Sequence, residues 1–273
     1  MERFSLKSYR IILEAAIEAG FSFVPFTENV LESGQIFLRH DVDFSLEMAL
    51  DLARINAAMG ISGTFFVLLR SQVYNLLSEE SLDCIDQILI LGQNLGFHAT
   101  FPKMVQPEAT IYDLARRLHE DFSIIKRNVE GLTPVFSWHN PSRKVLDLSR
   151  DEQSIAGLLN VYSDLFTEDI TYMSDSNLRN SPADFKVSIE SGAHRSMQLL
   201  FHPVNWVVGG ESMSEILANA WVRVVQEREY DVRKNRVYAN VFPLGMPGSL
   251  LTGFADEFRQ AFDAGAAISE HGE

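Results

Sequence analysis

Five apolar runs in this chain end in an acid or a histidine, and most of them are separated by stretches with helical spacing. Ile36-Phe-Leu38 leads into Arg39-His-Asp-Val-Asp43, Leu95-Gly-Phe97 into His98, and Val135-Phe-Ser-Trp138 into His139. Ile170-Thr-Tyr-Met173 runs to Asp175, and Met197-Gln-Leu-Leu-Phe201 to His202. Strands alternating with helices predict a mainly parallel sheet, either closed as a barrel or doubly wound. In such folds the chemistry sits at the C-terminal ends of the strands. The recurrence of Asp41, Asp43, His98, His139, Asp175 and His202 at those ends is therefore the strongest functional signal in the sequence.

The intervening segments carry the matching period. Ser5 is placed to cap a helix with Tyr9, Ile12, Leu13, Ala16 and Ile17 on one face, stopped by Gly20. Ser45 opens a second helix, with Leu46, Ala49, Leu50, Ala53 and Ala57 inward. Ser78 opens a third, with Leu82, Ile85 and Ile88 inward, and Cys84 within it reads as a packed small hydrophobe. Thr110 with Asp113 has the spacing of a capping box before a fourth helix that runs to Gly131. Phe21 to Phe26 and Phe185 to Ile189 read as extended. A helix is predicted from about 212 to 229, with Ile216, Leu217, Ala220, Trp221 and Val224 on one face, and another from 255 to 262. No repeat and no linker is visible, so a single domain over 1–273 is expected, with 1–34 and 236–273 as extensions.

Two carboxylates two residues apart repel unless a cation or a hydrogen-bond network absorbs the charge. Asp41 and Asp43 can therefore divide labour, one binding a metal and the other taking a proton. The bland alternative is that Asp43 caps the helix that follows. One carboxylate and two imidazoles around a divalent metal with open positions would suit hydrolysis. The same set also serves non-haem iron oxygenases, which the alternation of helix with strand disfavours. His119 on a helix, His194 in a loop and His271 in the tail have ordinary readings.

A net charge of -14 and the lack of any basic run argue against a partner held by its phosphates, so no nucleic acid is expected. No apolar stretch reaches membrane-spanning or signal-peptide length, and the single cysteine allows no internal disulfide. Those features favour a cytoplasmic protein.

Taken in order, Phe37-Leu-Arg-His-Asp-Val-Asp43, Gly60-Ile-Ser-Gly-Thr-Phe-Phe66, Leu91-Gly-Gln-Asn-Leu-Gly-Phe-His98, Phe136-Ser-Trp-His-Asn-Pro141 and Leu199-Leu-Phe-His-Pro203 resemble the motifs of the polysaccharide deacetylase (NodB-like) family. The Arg-His-Asp-Val-Asp first motif resembles a branch found among enzymes of surface-polysaccharide assembly. The resemblance implies an α/β fold, an incomplete, distorted (β/α) barrel. It also implies removal of an N-acyl group (acetyl or formyl) from a sugar or sugar nucleotide with a divalent metal, most often zinc. Carried over by motif, Asp41 is the expected catalytic base, Asp43 and His98 are expected metal ligands, His202 is the expected general acid, and Asp175 the acid that orients its neighbours. Asp41 would then deprotonate the attacking water and His202 would protonate the leaving amine.

The second motif of the family usually has another histidine four residues after the first, where this chain has Pro102. His139 is expected to supply the missing ligand. Two rivals remain on the same scaffold: a carbohydrate-binding protein without catalysis, in which Trp138 and Trp206 would stack on sugars, and a metal-independent amidohydrolase. The expected partner is a small carbohydrate. Trp221, Phe254, Phe258 and Phe262 would serve either a homo-oligomer interface or packing on their own barrel.

Overall fold

The computed structural model describes residues 3–26, 32–101, 108–241 and 260. The chain divides into two compact units, 1–207 and 208–273. The first contains α1 (Leu6–Glu18), β1 (Ser22–Val24), β2 (Gln35–Val42), α2 (Leu46–Ala58), β3 (Thr64–Leu68), α3 (Glu79–Ile90), β4 (Asn94–Thr100) and α4 (Ile111–Asn128). It continues with β5 (Leu132–His139), α5 (Arg143–Ser149), β6 (Ser154–Ile155), β7 (Leu158–Asn160), α6 (Asp164–Thr167), β8 (Thr171–Ser174), α7 (Pro182–Glu190), β9 (Ser196–Phe201) and α8 (Pro203–Val207).

The strands form one sheet in the order β6-β7-β5-β4-β3-β2-β9-β8, with β1 also paired to β2. Every pairing is parallel except β6 with β7. The path does not close: β6 and β8 are its two ends among the described residues. This is the incomplete (β/α) barrel expected from the sequence, and a register shift between Leu95 and Phe97 in the β4–β5 ladder distorts it.

Period-two alternation decides what each strand offers to either side. On β2, Ile36, Leu38 and Val42 join the large core with the helices, while Phe37 joins a smaller cluster with Phe26, Phe66, Val135 and Phe166. Arg39 and Asp41 share the parity of Phe37. His98 shares that of Gly96 rather than of Phe97, and His139 that of Val135 rather than of Phe136. The chemistry-bearing side chains of β2, β4 and β5 therefore rise from one face of the sheet. Gly96 on β4 sits in register with Phe66 on β3, and a Cβ there would meet the Phe66 ring at 2.6 Å. The absence of a side chain is what allows the ring to lie over the neighbouring strand.

Serines set the starts of the helices. Ser5, Ser45, Ser78, Ser142 and Ser181 each accept a backbone N–H from the first turn with extended cap geometry. The segment 185–189, expected to be extended, lies inside α7. Ser181 and Asp184 form a capping box there and Pro182 occupies the first turn, and these local signals outweigh the β-branched Val187 and Ile189.

In the second unit Ser212 caps α9 (Met213–Val232), and α10 (Arg236–Val241) follows. Ile216, Ala220 and Val224 are buried, whereas Leu217 and Trp221, expected on the same face, are partly exposed. The helix expected over 255–262 falls outside the described residues apart from Gln260. No helix among the described residues is long and apolar enough to cross a membrane.

Candidate active site

Asp43 follows the last residue of β2, and the helix after it is capped by Ser45, whose Oγ accepts the Met48 N–H at 3.1 Å. The carboxylate is therefore free of the capping role that sequence alone left open to it. Its Oδ1 lies 3.2 Å from His98 Nε2 and 3.3 Å from His139 Nδ1, and those two nitrogens are 3.2 Å apart. Oδ1 is buried and makes no hydrogen bond of acceptable geometry. An orphaned buried carboxylate oxygen facing two imidazole nitrogens is a donor set that suits a divalent cation.

The spacing fits one. Donors at about 2.0 to 2.1 Å from a tetrahedral zinc would stand about 3.3 Å from one another. Asp43, His98 and His139 are also the one group of three or more candidate ligands found among the described residues. Two of the three come from neighbouring parallel strands: His98 on β4 is in register with Ser137 on β5, and His139 lies two positions further along the same face of β5. Pro102, where a relative would carry its second histidine, lies outside the described residues. Burial alone would raise the Asp43 carboxyl, but the His139 and His98 imidazoles more than offset it, and its pKa is held well below the usual range.

Asp41 borders this triangle. Its Oδ2 is 3.6 Å from His98 Nε2, and its carboxylate accepts from Arg39 Nε at 2.9 Å and Nη2 at 2.6 Å. Burial works against the charge, but the Arg39 guanidinium prevails and the pKa is lowered. Arg39 is itself fully buried, with its guanidinium 4.5 Å from the centre of the Tyr162 ring and Nη1 3.4 Å from Gln198 Oε1.

His202 stands just after β9, with Nε2 3.8 Å from Asp43 Oδ2. Its Nδ1 is 2.5 Å from Asp175 Oδ1. Asp175 is fully buried, and its Oδ2 also accepts the His202 backbone N–H at 2.9 Å and Trp206 Nε1–H at 2.7 Å. Burial would lower the imidazole, but the Asp175 carboxylate, with help from Asp43 and Asp41, raises its pKa to about 9.

All six residues singled out in the sequence thus meet at one end of the sheet. His40 does not: it turns to the other face, stacks on Phe65 with ring centres 4.1 Å apart, and has Nε2 2.8 Å from Tyr9 Oη. Trp138 and Trp206 are corrected from candidate sugar platforms to core residues, 1% and 0% exposed, each donating its indole N–H inside the protein. Ser137, Tyr162 and Gln198 were not foreseen. Each is identified by what faces it across the sheet rather than by any pattern along the chain.

No protein-family model matches the sequence, and the comparison with curated proteins returns no match. Similar solved structures include the catalytic domain of a peptidoglycan N-acetylglucosamine deacetylase from Eubacterium rectale, 16% identical, covering 76% of this chain and 89% of that one with a TM-score of 0.43. The chitin deacetylase of the fungal pathogen Colletotrichum lindemuthianum is 18% identical, with 72% of this chain and 87% of that one covered and a TM-score of 0.42. A CE4 family pseudoenzyme from Bacillus anthracis is 15% identical, with 70% of this chain covered and a TM-score of 0.40. The match spans 60% of that pseudoenzyme, less than two thirds of its length.

Proposed function

We propose that this chain is a metal-dependent hydrolase that removes an N-acyl group, acetyl or formyl, from a sugar or sugar nucleotide. The observation that carries the reading is the Asp43, His98 and His139 triangle, with the Asp41 carboxylate 3.6 Å from His98 Nε2 and His202 Nε2 3.8 Å from Asp43 Oδ2. The three side chains would hold a divalent ion, and two imidazoles with one carboxylate favour zinc. Such an ion would acidify a water and polarise the acyl carbonyl.

The chain's own residues supply the proton transfers. Asp41, kept charged by Arg39, is the acceptor for the proton of the attacking water. His202 is held at Nδ1 by Asp175, which leaves Nε2 turned toward Asp43 and the site. A pKa of about 9 keeps the imidazole charged at neutral pH, so it can donate to the leaving nitrogen. A carbohydrate substrate is supported by the ordered motifs from Phe37 to Pro203, and the Arg-His-Asp-Val-Asp motif supports a place in surface-polysaccharide assembly.

The test is elemental analysis of protein purified without added metal or chelator, repeated on His139→Ala, followed by assay of acetate or formate release from N-acylated sugars and sugar nucleotides. About one zinc per chain, lost in the variant, together with acyl release, is expected. No metal after reconstitution, or full occupancy in His139→Ala, would overturn the assignment.

A further inference from the structure

Ser137 is fully buried in the middle of β5, between Phe136 and Trp138. A hydroxyl in such a place is costly unless it is hydrogen-bonded. Its partners lie on two other strands. Ser137 is in register with His98, and its Oγ stands 2.6 Å from His98 Nδ1 and 3.3 Å from Asp41 Oδ1. The Ser137 carbonyl oxygen is 3.3 Å from the same Nδ1.

The chemistry of these groups fixes the direction of the bonds that meet at His98 Nδ1 and Ser137 Oγ. A carbonyl oxygen can only accept, so an Nδ1 placed against it carries the proton. The Ser137 hydroxyl then accepts from Nδ1–H as well, which leaves its own proton for the ionised Asp41. The chain of donation runs from His98 Nδ1–H to Ser137 Oγ, and from Ser137 O–H to Asp41 Oδ1. With Nδ1 protonated, the neutral imidazole presents a bare Nε2, the atom 3.2 Å from both Asp43 Oδ1 and His139 Nδ1.

We infer that Ser137 is a positioning residue that selects the His98 tautomer able to ligate a metal and ties that imidazole to Asp41. The inference rests on the function proposed above for its metal, but the tautomer is a property of the metal-free protein. Partners one bond away from a ligating histidine commonly set both its ring orientation and the affinity of the site.

The experiment uses the full chain labelled with 15N-histidine, stripped of metal at pH 8, with the His98 resonance assigned by its absence in His98→Gln. Two-bond proton–nitrogen correlations are expected to show His98 protonated at Nδ1 in the wild type and a mixture of tautomers in Ser137→Ala, where only the more distant carbonyl remains. Zinc affinity, measured by competition with a chromogenic chelator, is expected to fall about 10- to 100-fold in Ser137→Ala. A wild-type His98 with Nδ1 bare and its proton on Nε2 alone would overturn the inference, as would an unchanged tautomer with zinc affinity within about twofold in the variant. A wild type that binds no zinc would remove the proposed function, while the tautomer comparison would still decide the role of Ser137.

Discussion

Arg39 and Asp41, two residues apart on β2, grip each other through two hydrogen bonds, Nε to Oδ1 at 2.9 Å and Nη2 to Oδ2 at 2.6 Å, with side chains 0% and 3% exposed. An even spacing along a strand puts both on one face, and the planar guanidinium matches the carboxylate as a lysine could not. Arg39→Met leaves a buried carboxylate without its counter-charge. A loss of about 3 to 5 kcal/mol in urea unfolding is expected, with part recovered in Arg39→Met combined with Asp41→Asn. A loss below about 1 kcal/mol would show that water reaches the pair.

Asp175 holds His202 at Nδ1 and anchors Trp206 with its other oxygen. Asp175→Asn keeps the shape but removes the charge that favours the imidazolium. We expect kcat to fall about 10²- to 10⁴-fold on an N-acylated sugar, with zinc stoichiometry unchanged. Loss of zinc together with turnover would instead make Asp175 a support of the metal site.

His40 is fully buried, and its pKa is depressed to about 3 because burial disfavours the imidazolium by more than Thr64 and Asp41 favour it. In the unfolded chain it takes up a proton near pH 6.5. Between those values the unfolded state binds more protons, so this contribution is complete above about pH 6.5 and is lost as pH falls toward 3. At pH 5 the wild type is expected to have lost about 2 kcal/mol relative to pH 7.5 from this group alone. His40→Gln, whatever its absolute stability, is expected to show a shallower decline over the same range. Equal slopes in the two proteins would remove His40 from the account.

Gly96→Ala places a methyl 2.6 Å from the Phe66 ring. The strand pairing on either side leaves little room for either group to move, and a cost of about 1 to 3 kcal/mol is expected in thermal or urea unfolding. Phe66→Leu in the same chain should relieve part of it. Additive losses in the double variant would mean that the ring already turns aside.

The sheet and its site were legible for a common reason. A parallel strand covered on both faces reads as a continuous apolar run, and a polar residue where the run stops announces the end that carries chemistry, as with Asp43, His98, His139 and His202. Where a signal depends on a neighbour in space, the sequence is silent. Ser137 looks like an interruption of β5 until His98 is set beside it, and His40 could point to either side of its strand until its contacts with Phe65 and Tyr9 place it on the other face. α5 and α6 are too short to show a helical period. In α7 the alternation of Phe185, Val187 and Ile189 imitated a strand, although the Ser181-Pro182 start and Asp184 already marked a helix.

The two candidate imidazole ligands belong to adjacent strands, His139 two register positions beyond His98, and what joins them is a shared face of the sheet. A histidine four positions further along the chain and one on the next strand over can address the same point in space, yet they leave different traces in a linear text. A search keyed to spacing passes over an arrangement like this one, whereas a search for donors on one face of neighbouring strands, up to two register positions apart, would find it. Comparative surveys of such barrels can therefore group chains by where their donor atoms converge, whichever strands carry the donors.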